Sequence, residues 1–265
     1  MHVWLWKTQY TLYWQAFRTF SAFFIDCYTL VLGLTAKTKE MKHMVKKHSE
    51  YELWQKYGGK KRSATQILGP ASSYQMKNTP RRILFSISRY KFAQKLLGEG
   101  KQILELGCSD GFGTYFLSEF ANKVVGIDFD KVLIDYAQSN LSNDVIQFKF
   151  EDFMGKRFGQ FDGVVTFDVI EHIFEENEDF FLKTIVNNLK ERGIAIIGTP
   201  NITTRQYSSD SVNAAHVNMY THTRFRELLE KFFHNAFIFS QNDEMIHTGF
   251  LPMAHYMIGV GVGKK

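Results

Sequence analysis

The sequence predicts an α/β domain built around a mostly parallel, seven-stranded sheet, on three observations. From residue 83 onward, short apolar runs alternate with segments whose apolar residues recur at helical spacing. A glycine-bearing turn, Gly107 to Gly111, lies between the first apolar run and the first helix after it. The last two apolar runs have no clear helix between them, which suits an antiparallel pair at the end of the sheet.

The elements follow in order. Ile83 to Leu97 reads as a helix, Gln102 to Leu106 as the first strand and Phe112 to Phe120 as a helix. Val124 to Ile127 is the second strand, Lys131 to Asn140 a helix, Val145 to Phe150 the third strand and Phe161 to Phe167 the fourth. Phe174 to Lys190 is helical because Phe180, Phe181, Ile185, Val186 and Leu189 share one face. Ile194 to Gly198 is the fifth strand, Thr221 to Phe233 a helix, and Ala236 to Gln241 and Tyr256 to Gly261 the closing strands.

The motifs fall at the strand ends, where open sheets of this type bind ligands. The stretch from Ile103 to Thr114 reads I-L-E-L-G-C-S-D-G-F-G-T, with Gly107 and Gly111 free to turn sharply and let backbone approach a ligand. A dinucleotide fingerprint would want glycine at 109, where Ser109 stands. Asp128 ends the second strand and can accept both hydroxyls of a ribose. Glu151, Asp152 and Phe153 end the third strand, where a carboxylate can meet an adenine amino group and Phe153 can flank the ring. The fourth strand runs into Asp168-Val169-Ile170-Glu171-His172, and the fifth into Thr199-Pro200-Asn201. Taken singly, each acid is as well explained by a solvated loop or a helix cap.

In this order the motifs resemble class I S-adenosylmethionine-dependent methyltransferases, in the small-molecule branch that includes ubiquinone-biosynthesis and sugar O-methyltransferases. The likeness covers roughly residues 85–200. It implies a Rossmann-like fold and S-adenosylmethionine as cofactor. It also implies that Glu105, Gly107 and Gly111 line the methionine and sulfonium end, Asp128 the ribose, and Asp152 with Phe153 the adenine. Ser109, Phe129 and Asp168 join the cofactor set, and Ser109 departs from the commoner glycine. Arg89-Tyr90-Lys91-Phe92-Ala93 is similar to an R-Y-x-F-A pattern in some of these enzymes, where the arginine would pair with the methionine carboxylate. The tail motifs His216–Tyr220 and Asn242–Phe250 are similar to a bacterial subgroup found among surface-polysaccharide genes.

Methyl transfer from a sulfonium asks for alignment and, with a hydroxyl acceptor, for a base. His172, just past the fourth strand, is the candidate base with Glu171 beside it; capping the next helix is the competing role. Tyr74, Arg81, Arg82, His216, Asn218 and Tyr220 are candidates for the acceptor, and the paired arginines would suit a phosphorylated or carboxylated one. His247 and His255 read as structural. The expected acceptor is a small molecule, a sugar or phosphorylated precursor of a surface polysaccharide.

Charge and composition narrow the alternatives. Nine basic residues and three acids between 37 and 62 give that segment +6 of the net +5, leaving the remainder at −1 and arguing against a nucleic-acid groove. A nucleic-acid methyltransferase would also want N-P-P-Y or D-P-P-Y after the fourth strand, or a Pro-Cys nucleophile, and neither is present. Two distant cysteines, Cys27 and Cys108, fit neither a disulfide framework nor a zinc site, so a reducing cytoplasm and no metal are expected. Residues 1–82 read as an N-terminal extension with a lid-like stretch near Pro70 and Pro80, and 83–265 as the catalytic domain. The aromatic-rich start, with the basic run behind it, leaves three readings: peripheral membrane contact through residues 1–46, a helix packed on the domain or a second subunit, or translation from Met41 or Met44. An NAD-linked oxidoreductase and a membrane-tethered module that binds cofactor without turnover are the competing functions.

Overall fold

The structure, a computed structural model, describes residues 68–265 together with Glu52 and Lys56. The membrane-contact reading of residues 1–46 lies outside the described residues. The compact unit that holds the sheet is Ile67–Lys265, so residues 67–82 go with it.

Two helices precede the sheet: α1 (Pro70–Asn78) and α2 (Pro80–Leu97). The lid-like stretch near Pro70 and Pro80 is helical because its prolines start helices: each stands at the first helical position, where the missing N–H costs nothing. Then come β1 (Gln102–Leu106), α3 (Phe112–Leu117), β2 (Lys123–Asp128), α4 (Lys131–Leu141), β3 (Ile146–Phe150) and β4 (Phe161–Phe167). The second half holds α5 (Glu178–Asn188), β5 (Leu189–Pro200), α6 (Asp210–Ala215), α7 (His222–Phe232), β6 (Phe233–Gln241), β7 (Ile246–His247) and β8 (Tyr256–Lys264).

The sheet order is β3-β2-β1-β4-β5-β8-β6-β7. The pairs from β3 to β5 are parallel, and β8 enters antiparallel between β5 and β6. This is the expected mostly parallel, Rossmann-like sheet, with eight strands where seven were expected. The extra one, β7, is a two-residue edge strand on Ser240 and Gln241, too short to leave a periodic signal. The expected helix Phe174–Lys190 is trimmed at both ends. It starts as a 3-10 turn at Glu175–Asn177, and Leu189 turns out of the helix to pair with Phe161.

Successive residues of each central strand feed opposite faces, and helices cover both. Leu104, Leu106, Val125 and Ile127 pack with Phe181 and Ile185 of α5 and Phe225 and Leu229 of α7. Ile103, Val124, Val165 and Ile258 pack with Tyr90, Ala93 and Leu97 of α2 and Leu117 of α3. Burying one such aromatic or aliphatic side chain contributes about 1.5–3 kcal/mol, so this two-sided core sets the sheet rigidly. The chain moves to one side after β1 and to the other after β4. That reversal opens a crevice at the carboxyl ends of β1 and β4.

Candidate active site

A cleft of about 440 Å³ occupies this crevice. The loop after β1 forms its floor. Gly107 has φ +77°, and a Cβ there would stand 2.3 Å from the Val169 side chain, so only glycine lets the β1 and β4 loops meet. Gly111, at φ +82°, begins α3 with its Cα against the Phe148 ring. Ser109 also holds a left-handed conformation, φ +51°, and its N–H donates to Asp128 Oδ2 at 2.8 Å. That bond carries the conformation which glycine would otherwise supply.

Asp128, at the end of β2, accepts from Ser109 N through Oδ2 and from Asp130 N through Oδ1, at 2.8 and 2.9 Å. Each oxygen keeps a further lone pair, and the carboxylate lines the cleft. Phe153 forms an apolar wall backed by Phe181, and Phe129 stands at the mouth, 71% exposed. Acid, glycine turn and flat apolar walls together fit a nucleoside with a charged tail, and the volume lies in the usual range for such ligands.

Glu105 is buried and does not touch the cleft. Its carboxyl accepts from Tyr90 Oη at 2.7 Å and from Thr114 Oγ1, tying the loop to α2 and α3. Burial pushes it up to about 7, against its hydroxyl donors.

Arg89 is a correction to the sequence reading. Its Nη1 donates to Asp168 Oδ2 at 2.7 Å, its Nε to Gln241 Oε1 at 2.8 Å, and its guanidinium lies 3.4 Å over the Tyr256 ring. With its fork spent on β4, β6 and β8, it is a brace and not a ligand for a methionine carboxylate. The Asp168 it holds has φ +57° and lines the cleft. Asp152 is exposed and outside the cleft lining, its Oδ1 accepting from Met154 N at 3.0 Å within its own turn. Tyr74 and Arg81 are exposed and outside the cleft lining. Asn218 and Tyr220 are buried: both donate to Glu178 Oε2, alongside Arg224, in a network joining α5 to α7. Burial pulls a polar side chain out of reach of substrate, a fact that sequence spacing does not carry.

His172 lines the cleft, and its Nδ1 lies 3.0 Å from Ala215 O. A carbonyl only accepts, so Nδ1 carries the proton and Nε2 keeps a lone pair. The ring packs edge-on against His216, centroids 5.0 Å apart. Burial, then the neighbouring His172, lowers the His216 imidazole. Glu171 is buried, accepts from Thr199 Oγ1 at 3.1 Å, and is pushed up to about 8, by burial first and Asp168 second. Ligand atoms of Glu171, His172 and His216 all lie within 4.8 Å of one another, a donor set able to hold a divalent cation.

Several lining residues went unseen in the sequence, those of the two leading helices among them. Ala71 and Ser72 of α1 and Ser86 of α2 face the cleft. Ser72 N and Oγ donate to Asp110 Oδ2 and Oδ1 at 2.8 and 2.9 Å, clipping α1 to the glycine loop across 38 residues of sequence. No local pattern announces a bond of that range.

Strand order, glycine turn and the acid after β2 are those of a Rossmann-like nucleotide-binding sheet. Residues 104–197 match the family model described as a methyltransferase domain. A probable S-adenosylmethionine-dependent methyltransferase of Mycolicibacterium smegmatis is 26% identical over 49% of this chain and 51% of its own. The ubiquinone biosynthesis O-methyltransferase of Rickettsia typhi is 35% identical over 40% of this chain and 44% of its own. The chain thus spans about half the length of the curated relatives it matches. Among solved structures, a TehB-like methyltransferase from Corynebacterium glutamicum covers 74% of this chain and 100% of its own at 22% identity and TM-score 0.53. The plantazolicin methyltransferase BpumL, solved with S-adenosylhomocysteine, covers 73% of this chain and 88% of its own at 15% identity and TM-score 0.56. These structures share the fold.

Proposed function

We propose that the protein transfers a methyl group from S-adenosylmethionine to a hydroxyl of a small molecule, a sugar-type precursor of a bacterial surface polysaccharide, in the cytoplasm. The observation that carries the reading is His172, with a free Nε2, on the same cleft as Asp128 and Gly107. Matches to ubiquinone O-methyltransferases support oxygen as the acceptor atom. The sugar assignment rests on the resemblance of the two tail motifs.

Asp128 would hold the ribose diol, Phe153 and Phe129 the adenine, and the Gly107 turn the methionine end. The bound cofactor supplies a methyl on a sulfonium, open to in-line attack. His172 Nε2 takes the proton as the acceptor oxygen bonds the methyl carbon, and the C–S electron pair stays on sulfur. Ala215 O steadies the resulting imidazolium through Nδ1–H. A second reading, favoured by the donor geometry of Glu171, His172 and His216, is that a divalent cation at this cluster acidifies the acceptor hydroxyl.

The test is release of S-adenosylhomocysteine when the purified protein meets S-adenosylmethionine and polar-metabolite extracts. His172→Gln should cut turnover roughly 100- to 10,000-fold with cofactor affinity unchanged. Full turnover in that variant would exclude His172 as the base. Loss of wild-type turnover in chelator, restored by a divalent cation, would favour the second reading.

A further inference from the structure

The proposed function gives the cleft a cofactor and a base but not a seat for the rest of the acceptor; the present inference rests on that reading and extends it. The rim beside His172 is assembled from three separate segments. On α2, Ser86 lines the cleft and Arg89, three residues later, reaches Asp168. Arg82, four residues before Ser86, therefore lies on the same helix face, one turn further out, and is exposed.

The 3-10 helix Ile202–Tyr207 carries Arg205, whose carbonyl accepts from Asn213 Nδ2 at 3.1 Å. Asn213 belongs to α6, and the C-cap of α6 is His216, the ring packed on His172. The third segment, entering β8, brings His255. Its ring stacks on Tyr207, centroids 6.5 Å apart at 26°, and its carbonyl accepts from Asn201 N at 3.0 Å. His255 thus lies against the segment that carries Arg205.

The charges on this rim are unbalanced. Among the described residues, neither Arg82 nor Arg205 meets a carboxylate at ion-pair distance, whereas Arg89 and Arg224 are both paired. Two acids beside His172 are already engaged, Asp168 with Arg89 and Glu171 buried against Thr199, which leaves exposed Asp210 at the start of α6 as the free acid of these segments. The Arg82 charge acts on both the His216 and His255 rings, and the Arg205 charge on His216. Solvated surface arginines are the plain alternative. They do not explain why two guanidiniums from distant segments, neither with a carboxylate partner, both bear on the His216 ring packed against the base.

We propose that the methyl acceptor carries an anionic group, a phosphate or a carboxylate, seated between Arg82 and Arg205 with His216 and His255 as further hydrogen-bond partners. A guanidinium fork matches either oxyanion with two parallel hydrogen bonds. The seat holds the acceptor at its charged end and leaves a hydroxyl to meet His172. A neutral analogue of the same skeleton would forfeit the contacts that orient it.

The full-length protein, saturated with S-adenosylhomocysteine, is titrated with inorganic phosphate and separately with acetate at constant ionic strength. Calorimetry gives the affinity, and the imidazole resonances of His216 and His255 report the location. Saturable binding is expected in the wild type, weakened about tenfold or more in Arg82→Ala and in Arg205→Ala. Arg226→Ala, which removes one exposed charge from α7, should bind as the wild type does. Tighter binding of phosphate points to a phosphomonoester acceptor, and tighter binding of acetate to a carboxylate. Protein that takes up S-adenosylhomocysteine but saturates with neither anion overturns this proposal alone, as does binding that survives both arginine substitutions. No uptake of S-adenosylhomocysteine overturns the methyltransferase reading and this proposal with it.

Discussion

Glu171 shows how one side chain ties site chemistry to stability. Its carboxyl ordinarily loses its proton near 4.5, and burial in the fold holds that proton up to about 8. A raised acid contributes stability that is fully present below about pH 4.5 and is lost as pH rises through 8. Glu171→Gln keeps an acceptor for Thr199 and removes the titration. Denaturant unfolding should show the variant gaining on the wild type from pH 5 to pH 8.5, and parallel stability curves would count against the raised carboxyl. Glu105, pushed up to about 7 by burial, adds a slope of the same sign in both proteins, so the difference isolates Glu171.

At the scale of elements, α1 matters most for closure of the cleft. It meets the glycine loop through Ser72 and Asp110, and its N-terminal amide donates to that carboxylate. Asp110→Ala leaves a buried amide and hydroxyl without partners, at a cost of about 1–3 kcal/mol each. Hydrogen exchange should therefore accelerate across Pro70–Asn78 while β1 and β4 keep their protection, and S-adenosylhomocysteine should bind more weakly. Unchanged exchange in α1 would show that the clip does not hold the helix. Such elements also mark where the sequence was legible. The strands and their loops were read within a few residues because apolar periodicity and glycine turns are local signals, and the cleft-lining residues Gly107, Asp128 and Phe153 came with them. Arg89, Asn218 and Tyr220 were misassigned because their roles depend on partners such as Gln241 and Glu178, far away in the chain. The stretch bracketed by Pro70 and Pro80 was read as lid-like and not as helical because a proline that starts a helix and one that ends it look alike without the partner surface.

Across the whole molecule, the two halves of the sheet divide the labour. The parallel strands β1 to β4 present the glycine turn, Asp128 and Asp168 at one crevice, which His172 also lines, and the later segment brings His216 onto the His172 ring. The first half is what the methyltransferase-domain match covers for the most part, and it is shared with distant relatives. Among the described residues, no helix is long and apolar enough to cross a membrane.

The most direct measurement is a calorimetric titration of the full-length protein with S-adenosylmethionine, S-adenosylhomocysteine and NADH, in wild type and Asp128→Ala. Two charge-assisted hydrogen bonds to a ribose diol predict that the substitution weakens the first two ligands by about 100-fold or more, with no response to NADH in either protein. Binding of NADH in place of both sulfur ligands would contradict the account and return the chain to the oxidoreductases.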